Sequence, residues 1–161
     1  MVLDITRHDR DSAGLRYIYP VVSRRAAGVS VGINLNPNNA CNWRCLYCQV
    51  PGLRRGGPPP LDLALLEREL SNFLDDVLHG DFMARAVPPE ARRLNDLAFS
   101  GNGEPTSAQE FPQAIAVVGQ VMRRLGLAGK ARLVRMIKDS LMPHPELQQG
   151  LRRHATIGGV V

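Results

Sequence analysis

The chain has 161 residues, of which 44% are apolar, so it is long enough for a domain with a hydrophobic core. It has neither the run of roughly 18 uncharged apolar residues that a membrane span needs nor an N-terminal signal-peptide pattern, which argues against a membrane or secreted protein. The net charge is +5, from 20 Lys and Arg against 15 Asp and Glu. Such a charge permits a nucleic acid or an acidic protein as partner, although a solvated basic surface is the more common reason for it.

The first half of the chain contains two predicted strands and one predicted helix. The strands cover residues 17–22 and 29–35, and a basic, glycine-containing turn separates them. Residues 53–60 form a connector, because consecutive prolines fix φ and lack an N–H. Asp62 is the predicted N-cap of a helix that ends near Gly80. One face of this helix is an apolar stripe, made of Leu63, Leu66, Leu70, Phe73, Leu74 and Val77.

Strands and helices continue to alternate in the second half. A short apolar run at residues 96–100 predicts a buried strand. A second amphipathic helix ends at Gly126, and strands at residues 131–137 and 156–161 enclose a third helix at residues 143–154. The apolar stripe of the second helix consists of Phe111, Ile115, Val118, Met122 and Leu125.

From the strand at residues 29–35 onward, the order of elements is β-α-β-α-β-α-β. This order predicts an α/β fold of parallel βα units, with the functional loops at the carboxyl ends of the strands, as in barrel enzymes. We divide the chain into an N-terminal extension with one strand, residues 1–28, and a domain over residues 29–161.

All three cysteines of the chain lie within eight residues, in the sequence Cys41-Asn-Trp-Arg-Cys45-Leu-Tyr47-Cys48. None is left for a distant disulfide, and clustered thiols suit the reducing cytoplasm, where we expect the protein to be. Three thiolates on one loop can hold three irons of a 4Fe-4S cluster, whereas ferredoxin-type clusters take four cysteines. The fourth iron is then open to a substrate or cofactor. Cys41, Cys45 and Cys48 are therefore the predicted metal ligands.

This C-x3-C-x2-C motif, with an aromatic residue before its last cysteine, resembles the cluster loop of radical S-adenosylmethionine (radical SAM) enzymes. Gly101-Asn102-Gly103-Glu104-Pro105, at the end of a predicted strand, resembles their Gly-Glu-Pro motif, although Asn102 stands where many members have glycine. The resemblance implies a partial (βα) barrel of the radical SAM type, incomplete at the C-terminus, with residues 29–161 as the N-terminal half of the catalytic core. On that basis we expect residues 1–161 alone not to turn over.

The same resemblance implies two cofactors, a 4Fe-4S cluster and S-adenosylmethionine (SAM). In the family the open iron binds the methionine part of SAM, and one electron cleaves SAM to a 5′-deoxyadenosyl radical that abstracts hydrogen from a substrate. The implied partner is a reducing electron donor such as flavodoxin or ferredoxin. The substrate is undefined, RNA is among the possible ones, and no membrane is involved.

Particular residues receive expected roles from this resemblance. Glu104 accepts a hydrogen bond from the SAM amino group, Gly103 permits close backbone approach, and Tyr47 lies by the adenine. Ser140 or Asp139 replaces the polar turn that relatives often have near the ribose. The expected cofactor-binding residues are Tyr47, Gly101, Asn102, Gly103, Glu104, Pro105 and Ser140.

Other interpretations of these residues stay open. The chain could hold a cluster for electron transfer or sensing without catalysis. It could also be a zinc-stabilised nucleic-acid-binding module, with His8 or His79 completing the site, although zinc ligands more often come as paired Cys-x2-Cys units. Five asparagines crowd the cysteine motif, and their amides could hold its backbone or reach a cofactor, while local turns are their commoner role. They are Asn34, Asn36, Asn38, Asn39 and Asn42.

Overall fold

The structure is a computed structural model that describes residues 3, 13–23, 28–43, 45–46, 48 and 50–135. The predicted helix at residues 143–154 and the predicted strand at residues 156–161 lie outside this part of the chain. The described elements, in order, are β1 (Ile18–Ser23), β2 (Gly28–Ile33), α1 (Leu63–His79), α2 (Phe82–Ala86), β3 (Leu94–Phe99), α3 (Phe111–Arg124) and β4 (Arg132–Arg135). Short 3₁₀ turns lie at Pro89–Ala91 and Pro105–Ser107.

The four described strands form one sheet, in the order β1-β2-β3-β4, that does not close into a barrel. β2, β3 and β4 are parallel, whereas β1 pairs antiparallel with β2. The predicted α/β class is therefore confirmed, but the prediction of parallel strands is wrong for β1. Only residues 24–27 separate β1 from β2, and a parallel pair needs a crossover of about a dozen residues. The predicted domain boundary after residue 28 falls inside β2.

Two helices, α1 and α3, pack on one face of the sheet and confirm the two predicted amphipathic stripes. The carboxylate of Asp62 caps α1 by accepting a hydrogen bond from Leu65 N at 2.9 Å, and α1 ends before Gly80. Gly126, just after α3, has a φ of 64°, which favours glycine. Every helix in the described part of the chain is too short or too polar to span a lipid bilayer. The core that they form with the sheet includes Leu66, Leu70, Leu74, Val118, Met122, Val31, Ile33, Leu97 and Phe99.

The opposite face of the sheet carries small and polar side chains, because successive residues of a strand point to opposite faces. Ser30 Oγ donates a hydrogen bond to Asp96 Oδ1 across β2 and β3. The ring of Tyr19 covers Gly32, its partner in β2, and a Cβ at that glycine would collide with the ring. The Tyr19 hydroxyl reaches Ser100 Oγ at 2.7 Å, beyond the end of β3. Tyr19 thus fixes the residue that precedes the Gly-Asn-Gly-Glu-Pro sequence.

Candidate functional site

The two sequence motifs lie at the same edge of the sheet. The cysteine loop (residues 41–48) follows β2, and the glycine motif (residues 101–105) follows β3, its parallel neighbour. Carboxyl ends of adjacent parallel strands meet at one edge, where ligands of open α/β sheets bind. Ser100 N donates to Ile33 O at 3.1 Å, so the backbones at the ends of β2 and β3 are still hydrogen-bonded just before the glycine motif begins. The predicted placement of both motifs at strand ends is confirmed.

Asn34 joins the segments that lead to the two motifs. It is the first residue after β2, and only 4% of it is exposed. Its Oδ1 accepts two hydrogen bonds, from Asn36 N at 3.0 Å and from Asn102 N at 3.1 Å. Its own backbone N–H donates to Tyr17 O at 2.8 Å. One amide oxygen therefore contacts the backbone before the cysteine loop and the backbone of the glycine motif.

Two glycines allow the glycine motif to lie close to residues 34–36, the asparagine segment. Gly101 has a φ of 152°, and a Cβ there would lie 2.9 Å from the Cα of Asn34. A Cβ on Gly103 would lie 2.5 Å from the Cγ of Asn36. Asn102, which stands where the motif of radical SAM enzymes often has glycine, contributes its backbone N–H, which a glycine would supply equally well. The glycine motif is thus shaped to receive the asparagine segment.

The asparagines next to the cysteine loop hold its two ends together. Asn38 Nδ2 donates to Gly57 O at 3.0 Å, and Asn39 Nδ2 donates to Pro51 O at 2.7 Å. Asn39 has a φ of 57°, a left-handed conformation that asparagine tolerates better than most residues. These contacts run from one side of the loop to the other, so the amides hold the backbone of the loop, one of the three roles left open by the sequence.

A short backbone bridge completes this closure. Ala40 and Arg54 form a parallel β-bridge, and Cys41 N donates to Arg54 O at 2.9 Å. Asn36 Nδ2 donates to Ala40 O at 2.9 Å, one residue before the first cysteine. The backbone before the loop, around Ala40, is therefore hydrogen-bonded to the backbone after it, at Arg54.

The three thiols of the loop are free. Cys41 and Cys45 are half-buried, Cys48 is exposed, and Trp43 N donates to Cys41 Sγ at 3.4 Å. No three His, Cys, Asp or Glu side chains of the described residues are gathered into a metal site. In donor chemistry the loop still fits an iron-sulfur cluster, because it offers three unpaired thiols and an N–H directed at a sulfur. To hold one cluster, residues 41–48 would have to bring the three sulfurs together.

Glu104 caps the 3₁₀ turn that follows it. It is 5% exposed, and its Oε1 accepts hydrogen bonds from Thr106 N at 3.2 Å and from Thr106 Oγ1 at 2.7 Å. Pro105 is buried at the first position of the turn, where its missing N–H has no consequence. The sequence analysis missed this cap, although an acceptor before proline with an N–H donor two residues further on is its signature.

Two of the expected cofactor-binding residues, Tyr47 and Ser140, lie outside the described residues, so their roles beside the adenine and the ribose stay predictions. Asn34 and Asn36 are the site residues whose importance the sequence analysis underestimated. The sequence analysis placed Asn34 inside the strand predicted at residues 29–35, whereas β2 ends at Ile33. Their tertiary contacts are visible only in the fold.

Comparison with known proteins yields one distant similarity. No protein-family profile matches the chain, and no solved structure does. Among curated proteins, the GTPase Obg of Brachyspira hyodysenteriae is 25% identical over 108 residues, which are 66% of this chain. The aligned region covers 14% of the length of that GTPase. Similarity at this identity and coverage does not assign the chain to a family.

Proposed function

We propose that the chain carries the cluster-binding part of a radical SAM enzyme, with the described sheet as part of a partial (βα) barrel. Cys41, Cys45 and Cys48 hold a 4Fe-4S cluster, and the glycine motif binds the methionine part of SAM. The observation that carries the proposal is that the cysteine loop and the glycine motif follow neighbouring parallel strands at one sheet edge. There Asn34 Oδ1 accepts hydrogen bonds from Asn36 N, in the segment that leads to the cysteine loop, and from Asn102 N of the glycine motif.

In this proposal the residues of the chain bind and orient, and the cofactors supply the chemistry. A cluster with bound SAM supplies one-electron cleavage of SAM and a radical that takes hydrogen from a substrate. Three thiolates leave one iron coordination site open. The Glu104 carboxylate accepts a hydrogen bond from the SAM amino group, and its burial strengthens that bond by excluding water. The backbone N–H of Thr106 holds the carboxylate in place.

The charge distribution supports an acidic electron donor such as flavodoxin or ferredoxin. Residues 12–61, which include the cysteine loop, contain six arginines and no Asp or Glu. Arg54 and Arg55 are exposed where the chain leaves the loop. A positive surface steers acidic partners and also suits RNA, which stays one candidate substrate. Reduced thiols make the cytoplasm the proposed compartment.

Anaerobic reconstitution with iron and sulfide tests the cluster. We expect about four irons per chain, as a 4Fe-4S cluster requires, and a broad visible absorbance. Cys41→Ala, Cys45→Ala and Cys48→Ala should each lose both signals, because each removes one of three protein ligands. The matched control is Asn42→Ala, a change at an exposed position of the same loop, which should retain them. Stoichiometric zinc without iron would contradict the proposal and favour the zinc module.

Product analysis separates catalysis from a cluster used for electron transfer or sensing. In the presence of a strong reductant, a radical SAM enzyme converts SAM to methionine and 5′-deoxyadenosine. Formation of 5′-deoxyadenosine would rule out the non-catalytic module. Because residues 1–161 alone are not expected to turn over, a reconstituted chain that holds a cluster but binds no SAM, and not one that merely forms no product, would favour that module. Nucleotide hydrolysis, which the name of the Obg GTPase suggests, has no support in the sequence. The Gly-x4-Gly-Lys-Ser/Thr pattern that cradles nucleotide phosphates does not occur in it.

A further inference from the structure

We propose that Asn34 is a positioning residue that couples the cysteine loop to the glycine motif. Asn34 touches neither cofactor in this assignment. It sets the backbone position of both motifs, so that a change at one is transmitted to the other. The consequence for SAM affinity rests on the proposed function, whereas the coupling itself is a property of the metal-free chain.

The first support is the sharing of one acceptor. Asn34 Oδ1 receives an N–H from Asn36, two residues away, and another from Asn102, which is 68 residues away. The side chain is buried, so water cannot easily replace either bond. Displacement of Asn36 therefore pulls the oxygen away from Asn102, and the reverse is also true.

The second support is the fit between the asparagine segment and the two glycines. Gly101 lies against Asn34 and Gly103 lies against Asn36, both closer than a Cβ would allow. Asn36 in turn donates to Ala40 O, immediately before Cys41. Continuous contacts thus run from the glycine motif to the first cysteine. Coupling between sites is carried by such contiguous packed and hydrogen-bonded groups.

Amide hydrogen exchange of the metal-free chain tests the coupling without any cofactor. Asn34→Ala should speed exchange at both Asn36 and Asn102 by about tenfold, the change expected when one hydrogen bond is lost. Asn42→Ala, the matched control at an exposed position of the cysteine loop, should leave both amides at their wild-type rates. Asn34→Asp should restore protection at both positions, because a carboxylate oxygen can accept the same two bonds.

Two results would overturn the inference. One is unchanged exchange at Asn102 in the Asn34→Ala chain, and the other is equal acceleration there in the Asn42→Ala chain. If Asn34→Ala fails to fold, as judged by circular dichroism, Asn34→Leu replaces it, since leucine keeps the volume and lacks the acceptor.

SAM binding to the reconstituted chain extends the test. Asn34→Ala should weaken SAM binding about tenfold at unchanged iron content, and Asn34→Asp should recover it. Wild-type affinity in Asn34→Ala, measured on a chain that binds both cluster and SAM, would overturn the inference and leave the proposed function intact. If the wild-type chain assembles no cluster, the proposed function fails and the exchange experiment alone decides the coupling.

Discussion

Glu104 caps a turn in the structure, and we propose that it also binds the amino group of SAM. Its Oε1 caps the turn at Pro105–Ser107, and its burial with Thr106 keeps the carboxylate at the edge of the sheet. A cap needs an oxygen acceptor, and charge is not required. Recognition of an ammonium group gains from a negative charge, because charge-assisted hydrogen bonds are roughly twice as strong as neutral ones. The two tasks can therefore be separated by chemistry.

Replacement of Glu104 by glutamine and by alanine should have different effects. Glu104→Gln keeps a carbonyl oxygen for the cap, so it should lower the free energy of unfolding by less than Glu104→Ala does. SAM affinity should fall roughly tenfold to a hundredfold, because the charge is lost. Glu104→Ala should lose affinity and also about 1 kcal/mol of stability, as N-cap deletions do. Urea unfolding and equilibrium dialysis of the reconstituted chain measure the two quantities.

Thr106→Ala is the control for this pair. It removes the hydroxyl that donates to Glu104, while the backbone N–H of the turn remains. SAM affinity should stay within about twofold of wild type, since the charge is still present. A Glu104→Gln chain with wild-type affinity and an intact cluster would mean that the motif is only a turn.

At the scale of elements, the sequence predicts best what depends on local periodicity. The first helix was placed from a cap at Asp62 to Gly80, and α1 has these bounds because its apolar residues recur every three or four positions. The helix α2 was missed, since its five residues are too few for any period and lack a side-chain cap. The antiparallel direction of β1 was missed although the short turn predicted between the first two strands favours a hairpin.

In the candidate site too, local sequence predicts some features, and others depend on how the strands pair. The positions of both motifs at strand ends could be predicted, because strand order and parallel pairing are enough to place them. The local bond from Asn36 to Asn34 is the kind of turn that asparagine favours. The bond from Asn102 to Asn34 depends on how β2 and β3 pair and on the absence of a Cβ at Gly101. No pattern within a short window contains that information.

A prediction at the element scale concerns the pairing of Tyr19 with Gly32 in β1 and β2. Gly32→Ala should lower the free energy of unfolding by about 1–3 kcal/mol, because the new methyl group collides with the ring. In a Tyr19→Ala background the same change should cost less than about 0.5 kcal/mol, since the collision is gone. Tyr19→Phe, the control, keeps the ring and should preserve the full cost. Equal costs in all three backgrounds would contradict the packing described here.

At the scale of the whole molecule, the hydrophobic core and the cysteine loop are separate. The buried apolar cluster joins all four described strands to α1 and α3, and Cys41, Cys45 and Cys48 are not part of it. The loop is attached at its ends by amide hydrogen bonds and one β-bridge. A zinc-stabilised module would be built differently, because in such domains metal binding supplies much of the folding free energy.

The metal-free chain should therefore remain folded. Cys45→Ala should change the free energy of unfolding by less than about 0.5 kcal/mol, since its thiol lies outside the core. Leu70→Ala, at a fully buried position of α1, should lower it by about 2–5 kcal/mol through lost burial and a cavity. Urea unfolding followed by circular dichroism, in the presence and absence of a chelator, measures both.

If the chelator abolishes the helical signal of the purified chain, metal holds the fold together and the zinc module becomes the better account. If the signal and the urea midpoint stay unchanged while Leu70→Ala shifts that midpoint, the core alone maintains the fold, and the cysteine loop is left to bind a cofactor.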